Sequence, residues 1–194
     1  MNYTPIKFNS FEERQEYLYD NYTKILGTPV LDKLVQQGFL TAPASTKYHG
    51  SYEGGLFDHS ANVAHVLQLL TENNNLVWQT DPKCESIGGE SSPLLIGMMH
   101  DLCKIDLYKK NIECSRFDYN NDPIIKGHGT KSVMYLYRLG LYHLTEEEVA
   151  CIVYHMGAYT PQEEWESLRN AIRKFPNVLW THTADMIASQ IMEV

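Results

Sequence analysis

Apolar residues recur at helical spacing along most of this chain, and glycine, proline and asparagine break the pattern into separate runs. Phe11 to Phe39 predicts two helices. Ser10 and Glu13 have capping-box spacing ahead of Tyr17 and Leu18. Gly27-Thr28-Pro29 interrupts the run, and Val30-Leu31 with Leu34-Val35 restores it. Thr41 to Gly55 turns to Pro, Ser and Gly, as a loop does. A third helix is expected to open at Asp58 or His59, with His59, Val63, Val66 and Leu70 on one face, His65 off that face, and Asn73-Asn74-Asn75 as its stop.

Asp81 to Ser92 reads as a polar loop. A helix started by Pro93 then carries Leu94-Leu95-Ile96-Gly97-Met98-Met99 into His100-Asp101, apolar on every side and therefore central. Gly97, one turn before Asp101, leaves room for another helix or a ligand. Ile105 to Asn121 predicts a small hairpin or irregular insert. Further helices follow from His128 to Gly140, from the Thr145-Glu146-Glu147-Glu148 capping box to His155 with Gly157 as its stop, after Pro161, and from Pro176 through Asp185. The predicted class is all-α in a single bundle.

Composition narrows the partners more than the fold. A hydrophobic content of 43% with 21% charged residues is that of an ordinary globular domain. No apolar stretch reaches the ~20 residues of a membrane span, and the first residues lack a secretory leader, so a cytoplasmic location is the expectation. The formal charge of −8 disfavours a long nucleic acid as ligand and favours a small one. Cys84, Cys103, Cys114 and Cys151 form no CxxC pair, which argues against a structural zinc knuckle, and without an export signal free thiols are expected, with Cys103 and Cys151 as small buried apolar residues.

The chemistry lies in polar residues placed on apolar helices. A carboxylate such as Asp101 buried without a partner would cost several kcal/mol or stay protonated, and a shared cation removes that cost. His59, His100, His128 and His155 sit on or at the ends of predicted core helices, with Asp101 and Asp185 among them. Imidazole and carboxylate suit Fe, Mn, Co, Ni or Zn. Four histidines and two aspartates exceed one tetrahedral ion and suit two divalent transition metal ions, with Asp101 placed to bridge them.

In that order, His59, His100-Asp101 followed by Lys104, His128, His155 and Asp185, the chain resembles the HD-domain superfamily of metal-dependent phosphohydrolases in its binuclear form. The likeness runs over about residues 48 to 190, which divides the chain into an N-terminal helical extension (1–47) and an HD domain (48–194). The resemblance implies one metal on His59, His100, Asp101 and Asp185, and a second on Asp101, His128 and His155. It implies catalysis by Asp101 and Lys104, the lysine reaching a phosphate or the activated water. The passage from His49 through Tyr52-Glu53-Gly54-Gly55-Leu56 is similar to one that precedes the first ligand in exoribonuclease-like and relaxase-associated HD proteins, which marks His49 as substrate-side. Lys131 and Tyr159 join it as candidate substrate contacts, with Tyr108 as a further aromatic near the site. The Gly-Tyr-Pro signature of cyclic-di-GMP phosphodiesterases is absent.

Three functions fit this reading. The first is hydrolysis of a phosphomonoester or phosphodiester, in a nucleotide or short oligonucleotide, by a metal-bridging hydroxide. The second is a di-iron oxygenase cleaving a C–C or C–P bond, told apart by redox-active iron and oxygen demand. The third is a non-catalytic scaffold, told apart by absence of metal. The insert from Ile105 to Asn121 follows the His-Asp doublet directly and is the candidate specificity element.

Overall fold

A computed structural model describes residues 3–81, 88–111, 113, 116–122, 125 and 127–194. Among them are eight α-helices and one two-stranded hairpin. The helices are α1 (Phe11–Leu26), α2 (Thr28–Gln36), α3 (Gly55–Asn74), α4 (Ser92–Met99), α5 (Gly129–Leu139), α6 (Glu146–Tyr154), α7 (Trp165–Lys174) and α8 (Asn177–Gln190). The strands β1 (Tyr108–Lys110) and β2 (Phe117–Tyr119) pair antiparallel, with Tyr108 opposite Tyr119. The all-α class therefore holds, and the insert after the His-Asp doublet is a hairpin. The polar loop expected before α4 lies partly outside the described residues, as do Cys84 and Cys114.

Most helix ends follow the local signals. Ser10 Oγ accepts the Glu13 N–H at 3.1 Å, although Glu13 reaches back to the N–H of Asn9 rather than of Ser10. Thr145 and Glu148 close a full capping box on α6. Asn75 and Gly140 end α3 and α5 in left-handed conformations.

The start of α3 departs from expectation, at Gly55 rather than Asp58 or His59. Its first turn needs no side-chain cap, because the Leu56 N–H donates to Ala42 O at 3.0 Å across the preceding loop. Leu56 and Phe57 are fully buried by the extra turn.

Helix α3 is the spine, packed mainly against α4 and α8, while α6 packs on α8 and α5. Leu18, Tyr22, Leu31 and Leu34 of α1 and α2 share one apolar core with Phe57, Leu67, Ile96 and Ile152. The first two helices are thus built into the same interior as the rest.

Two glycines set the distances between the helices that carry the polar cluster. A Cβ on Gly97 would fall 2.3 Å from Ala64 Cα, so α4 touches α3 backbone to backbone. A Cβ on Gly129 would fall 2.3 Å from Ile152 O, which seats the start of α5 on α6. Gly97→Ala must push α3 and α4 apart, and is expected to cost stability near the upper end of the ~1–3 kcal/mol typical of overpacking. Urea denaturation should show the midpoint falling with an unchanged slope.

Candidate metal centre

Each polar side chain of the cluster stands at a helix end or on a buried helix face. His59 lies in the first turns of α3, His100 caps the end of α4, and Asp101 turns into the 3₁₀ segment Leu102–Asp106. His128 opens α5, His155 caps the end of α6, and Asp185 lies on α8. Close packing of these helices brings all six residues together.

Asp101 is the centre. Its Oδ2 is 3.3 Å from His100 Nε2 and 3.8 Å from His59 Nε2. Its Oδ1 is 2.8 Å from His128 Nε2 and 3.4 Å from His155 Nε2. Asp185 Oδ1 lies 3.1 Å from His59 Nε2. Each Asp101 oxygen therefore faces a different pair of imidazoles.

The opposite ring nitrogens fix what those imidazoles present. His59 Nδ1 is 2.9 Å from Val194 O, His100 Nδ1 is 2.8 Å from Gly97 O, and His155 Nδ1 is 2.7 Å from Ile152 O. A carbonyl can only accept, so each Nδ1 carries the proton, and in a neutral ring Nε2 is left with a lone pair. Burial drives His100 down from its ordinary pKa against the pull of Asp101, which keeps that ring neutral. Lone pairs of imidazole and carboxylate then converge on the same small volume.

The result is a set of buried acceptors with nothing to accept. Among the described residues, His59 Nε2, His100 Nε2, His155 Nε2 and Asp101 Oδ1 find no hydrogen-bond partner. Unpaired buried polar atoms are rare and costly. A cation satisfies all of them at once, and metal bonds of ~2.0–2.2 Å place neighbouring ligand atoms about 3 Å apart, the spacing seen here. Among the described residues, three overlapping sets could hold a metal ion: His59, His100 and Asp101; His100, His155 and Asp185; Asp101, Cys103 and His128.

Electrostatics within the protein favour an anionic carboxylate. Burial alone would raise Asp101, but the Lys104 ammonium beside it outweighs burial and holds the carboxyl well below its usual range.

Lys104 is buried, and its Nζ sits 2.7 Å from Asp101 Oδ2. It thus pairs with the central carboxylate itself. Its head also lines a cavity of about 340 Å³ over Asp101, within the usual size range of small-ligand pockets. That cavity is walled by Ser45, His49, Tyr108, His182 and Tyr159, among others.

Comparison with known proteins was negative throughout. No protein-family model matches the chain, and neither a curated protein nor a solved structure matches it. What can be said of this centre rests on its own residues.

Of the other residues singled out in the sequence, His49 sets its ring 4.9 Å from that of His59, tilted by 37°, and burial, followed by His59 and Lys104, pulls it down to about 4. Tyr159 stands on the cavity rim, 71% exposed, and Tyr108 lines the same wall. Lys131 is not brought to this cavity. It is buried in a pair with Asp106, which also accepts from Tyr135 OH at 2.7 Å, and it faces two other clefts.

Sequence reading passed over two neighbours, His182 and Arg14, and a contact of a third, Cys103. His182 lies one turn before Asp185 on α8 and its Nδ1 is 2.8 Å from His155 O; the three-residue spacing was its signal. Cys103 is buried and its thiol is pushed up to about 12 by burial, as expected of a small apolar residue, yet its Sγ lies 3.4 Å from His128 Nδ1. Arg14 binds Asp58, one residue before His59, through Nε at 2.6 Å and Nη2 at 2.9 Å, and Tyr52 OH donates to the same carboxylate at 2.9 Å. Nothing local in the sequence marks that pair.

Proposed function

We propose that this chain is a metal-dependent phosphohydrolase of the HD type, with two divalent transition metal ions and a phosphorylated small molecule, a nucleotide or short oligonucleotide, as substrate. The observation that carries the reading is the split of the Asp101 carboxylate, Oδ2 toward His59 and His100, Oδ1 toward His128 and His155. A carboxylate that divides two sets of lone-pair donors in this way suits a bridge between two cations better than a ligand to one. His59, His100, Asp101 and Asp185 would hold the first, and Asp101, His128 and His155 the second. The pattern of residues that resembles HD phosphohydrolases in the sequence is the pattern that meets at Asp101 in space.

Divalent ions at such a centre supply Lewis acidity, which acidifies water and draws charge from a phosphoryl group. The protein's own groups do the rest. The Nδ1 tethers keep three imidazoles in the tautomer that offers Nε2. Lys104 holds a positive charge beside Asp101 and at the cavity wall, where it can receive a phosphoryl oxygen and lower the cost of bringing an anion to this acidic chain. His49 and Tyr159 are placed at the cavity to orient the remainder of the substrate.

The test is metal content by mass spectrometry on anaerobically purified protein, with phosphate release from nucleotides and oxygen uptake followed in parallel. About two transition ions per chain with phosphate release and no oxygen demand is the expected result. Two irons with substrate-dependent oxygen uptake would replace the hydrolase with an oxygenase. A metal-free, stably folded chain would leave a helical scaffold.

A further inference from the structure

A second groove opens beside the cavity over Asp101 and shares two wall residues with it, Thr46 and Tyr119. Its volume is about 650 Å³, larger than that of the cavity it joins. One wall is the loop bearing Thr46, Lys47 and Ser51; the other is β2 and its approach, Arg116, Phe117, Asp118 and Tyr119. An ion pair between Lys110 of β1 and Glu53, at 3.0 Å, ties the two walls together. The hairpin after the His-Asp doublet therefore extends the site in one direction.

The chemistry of this groove runs against the charge of the chain. Lys47 and Arg116 line it and make no ion pair among the described residues, whereas the nearby Lys104 and Lys110 have carboxylate partners. Its acidic member, Asp118, already accepts from the Asn111 side chain at 2.7 Å. Phe117 and the 59% exposed Tyr119 add aromatic surface, and Thr46 and Ser51 add hydroxyls. Free cations interleaved with aromatic rings are the composition of a single-strand groove, where phosphates meet charge and bases stack.

We propose that this groove binds the second and following units of a single-stranded oligonucleotide whose reacting phosphate lies over Asp101, so that the substrate is an oligonucleotide rather than a mononucleotide. The assignment rests on the phosphohydrolase reading for the role of Asp101, but binding in the groove does not require turnover. Lys47 and Arg116 take the phosphates beyond the reacting one, and Phe117 and Tyr119 take a base.

The experiment uses the full metal-loaded chain and a fluorescent hexanucleotide with phosphorothioate linkages, read by anisotropy across a salt series. Adenosine monophosphate and a hexaglutamate peptide serve as competitors. The wild-type chain is expected to bind the hexanucleotide at least tenfold more tightly than either competitor. The double variant Lys47→Ala/Arg116→Ala should weaken hexanucleotide binding at least tenfold. Its log–log salt slope should fall by ~1.4, two phosphate contacts at ~0.7 each, while its affinity for adenosine monophosphate and its metal content stay unchanged. Both side chains are exposed, so the fold should persist, and a thermal melt confirms it. Unchanged affinity and slope in the variant, a hexanucleotide bound no tighter than the mononucleotide, or equal competition by hexaglutamate would each overturn the assignment. Tight, variant-sensitive hexanucleotide binding with no phosphate released from any unmodified nucleotide would support the groove and sink the hydrolase.

Discussion

Asp101→Asn is expected to abolish metal binding at the whole centre while the helices stay in place. Asparagine keeps the volume and one acceptor oxygen but removes the charge and the second oxygen that faces His128 and His155. If Asp101 is the proposed bridge, its loss leaves both ligand sets incomplete, and mass spectrometry should find the chain free of transition metal. In the proposed hydrolase, phosphate release should fall with it, by on the order of 10³-fold or more, since a preorganised charge at a reacting centre is worth that much. Circular dichroism should report unchanged helix content. Asp101→Ala is the harsher variant, because it leaves the buried Lys104 ammonium without its partner at 2.7 Å, at a cost of ~3–5 kcal/mol. A chain that retained two ions in Asp101→Asn would remove Asp101 from the bridge and leave the site without a centre.

The second large effect is on stability and lies at the pair between the first helix and the spine. Arg14 and Asp58 are 8% and 4% exposed and meet through two hydrogen bonds. Arg14→Ala leaves Asp58 buried with only the Tyr52 hydroxyl, and loss of one member of a buried pair costs ~3–5 kcal/mol. For a chain of this size that corresponds to a fall in melting temperature of roughly 10 °C. Replacing both members with apolar residues, Arg14→Met with Asp58→Leu, should recover most of the loss, since the penalty lies in the stranded charge rather than in the missing attraction. If the single variant melts with the wild type, the pair is not load-carrying and the first helix is held by its apolar face alone.

The helices were largely legible because their ends are coded locally. Ser10, Asn75, Gly140 and the Thr145–Glu148 box each act within a few residues of themselves. The start of α3 was misplaced because its first turn is satisfied by Ala42 O, a partner brought in by the loop rather than by the adjacent sequence. The six clustered residues were legible for another reason: polar groups on otherwise apolar helix faces need each other or a cation. Which nitrogen of each ring faces inward was not legible, because it depends on a backbone carbonyl whose direction is settled only when the helix ends. Lys131 shows the same limit from the other side. One turn from His128 it lines a cleft with that residue, away from the cavity over Asp101, and Asp106, 25 positions away, takes up its charge. Arg14 and Asp58 are 44 positions apart and belong to different helices, so no spacing rule joins them.

The carbonyl tethers of His100 and His155 have a consequence for how this site tolerates mutation. Both rings sit at a helix C-terminus and donate to the carbonyl three residues earlier, a group that a helix end leaves without an intrahelical partner. The chain therefore orients these rings with atoms that every amino acid possesses. No side-chain replacement at Gly97 or Ile152 deletes the acceptor; it can only displace it. His128 differs, since Nδ1 faces the Cys103 thiol, which a single codon change removes. Robustness to random substitution is thus uneven around the centre, with one quarter of its imidazoles exposed to drift at a neighbouring side chain and the rest insured by the main chain.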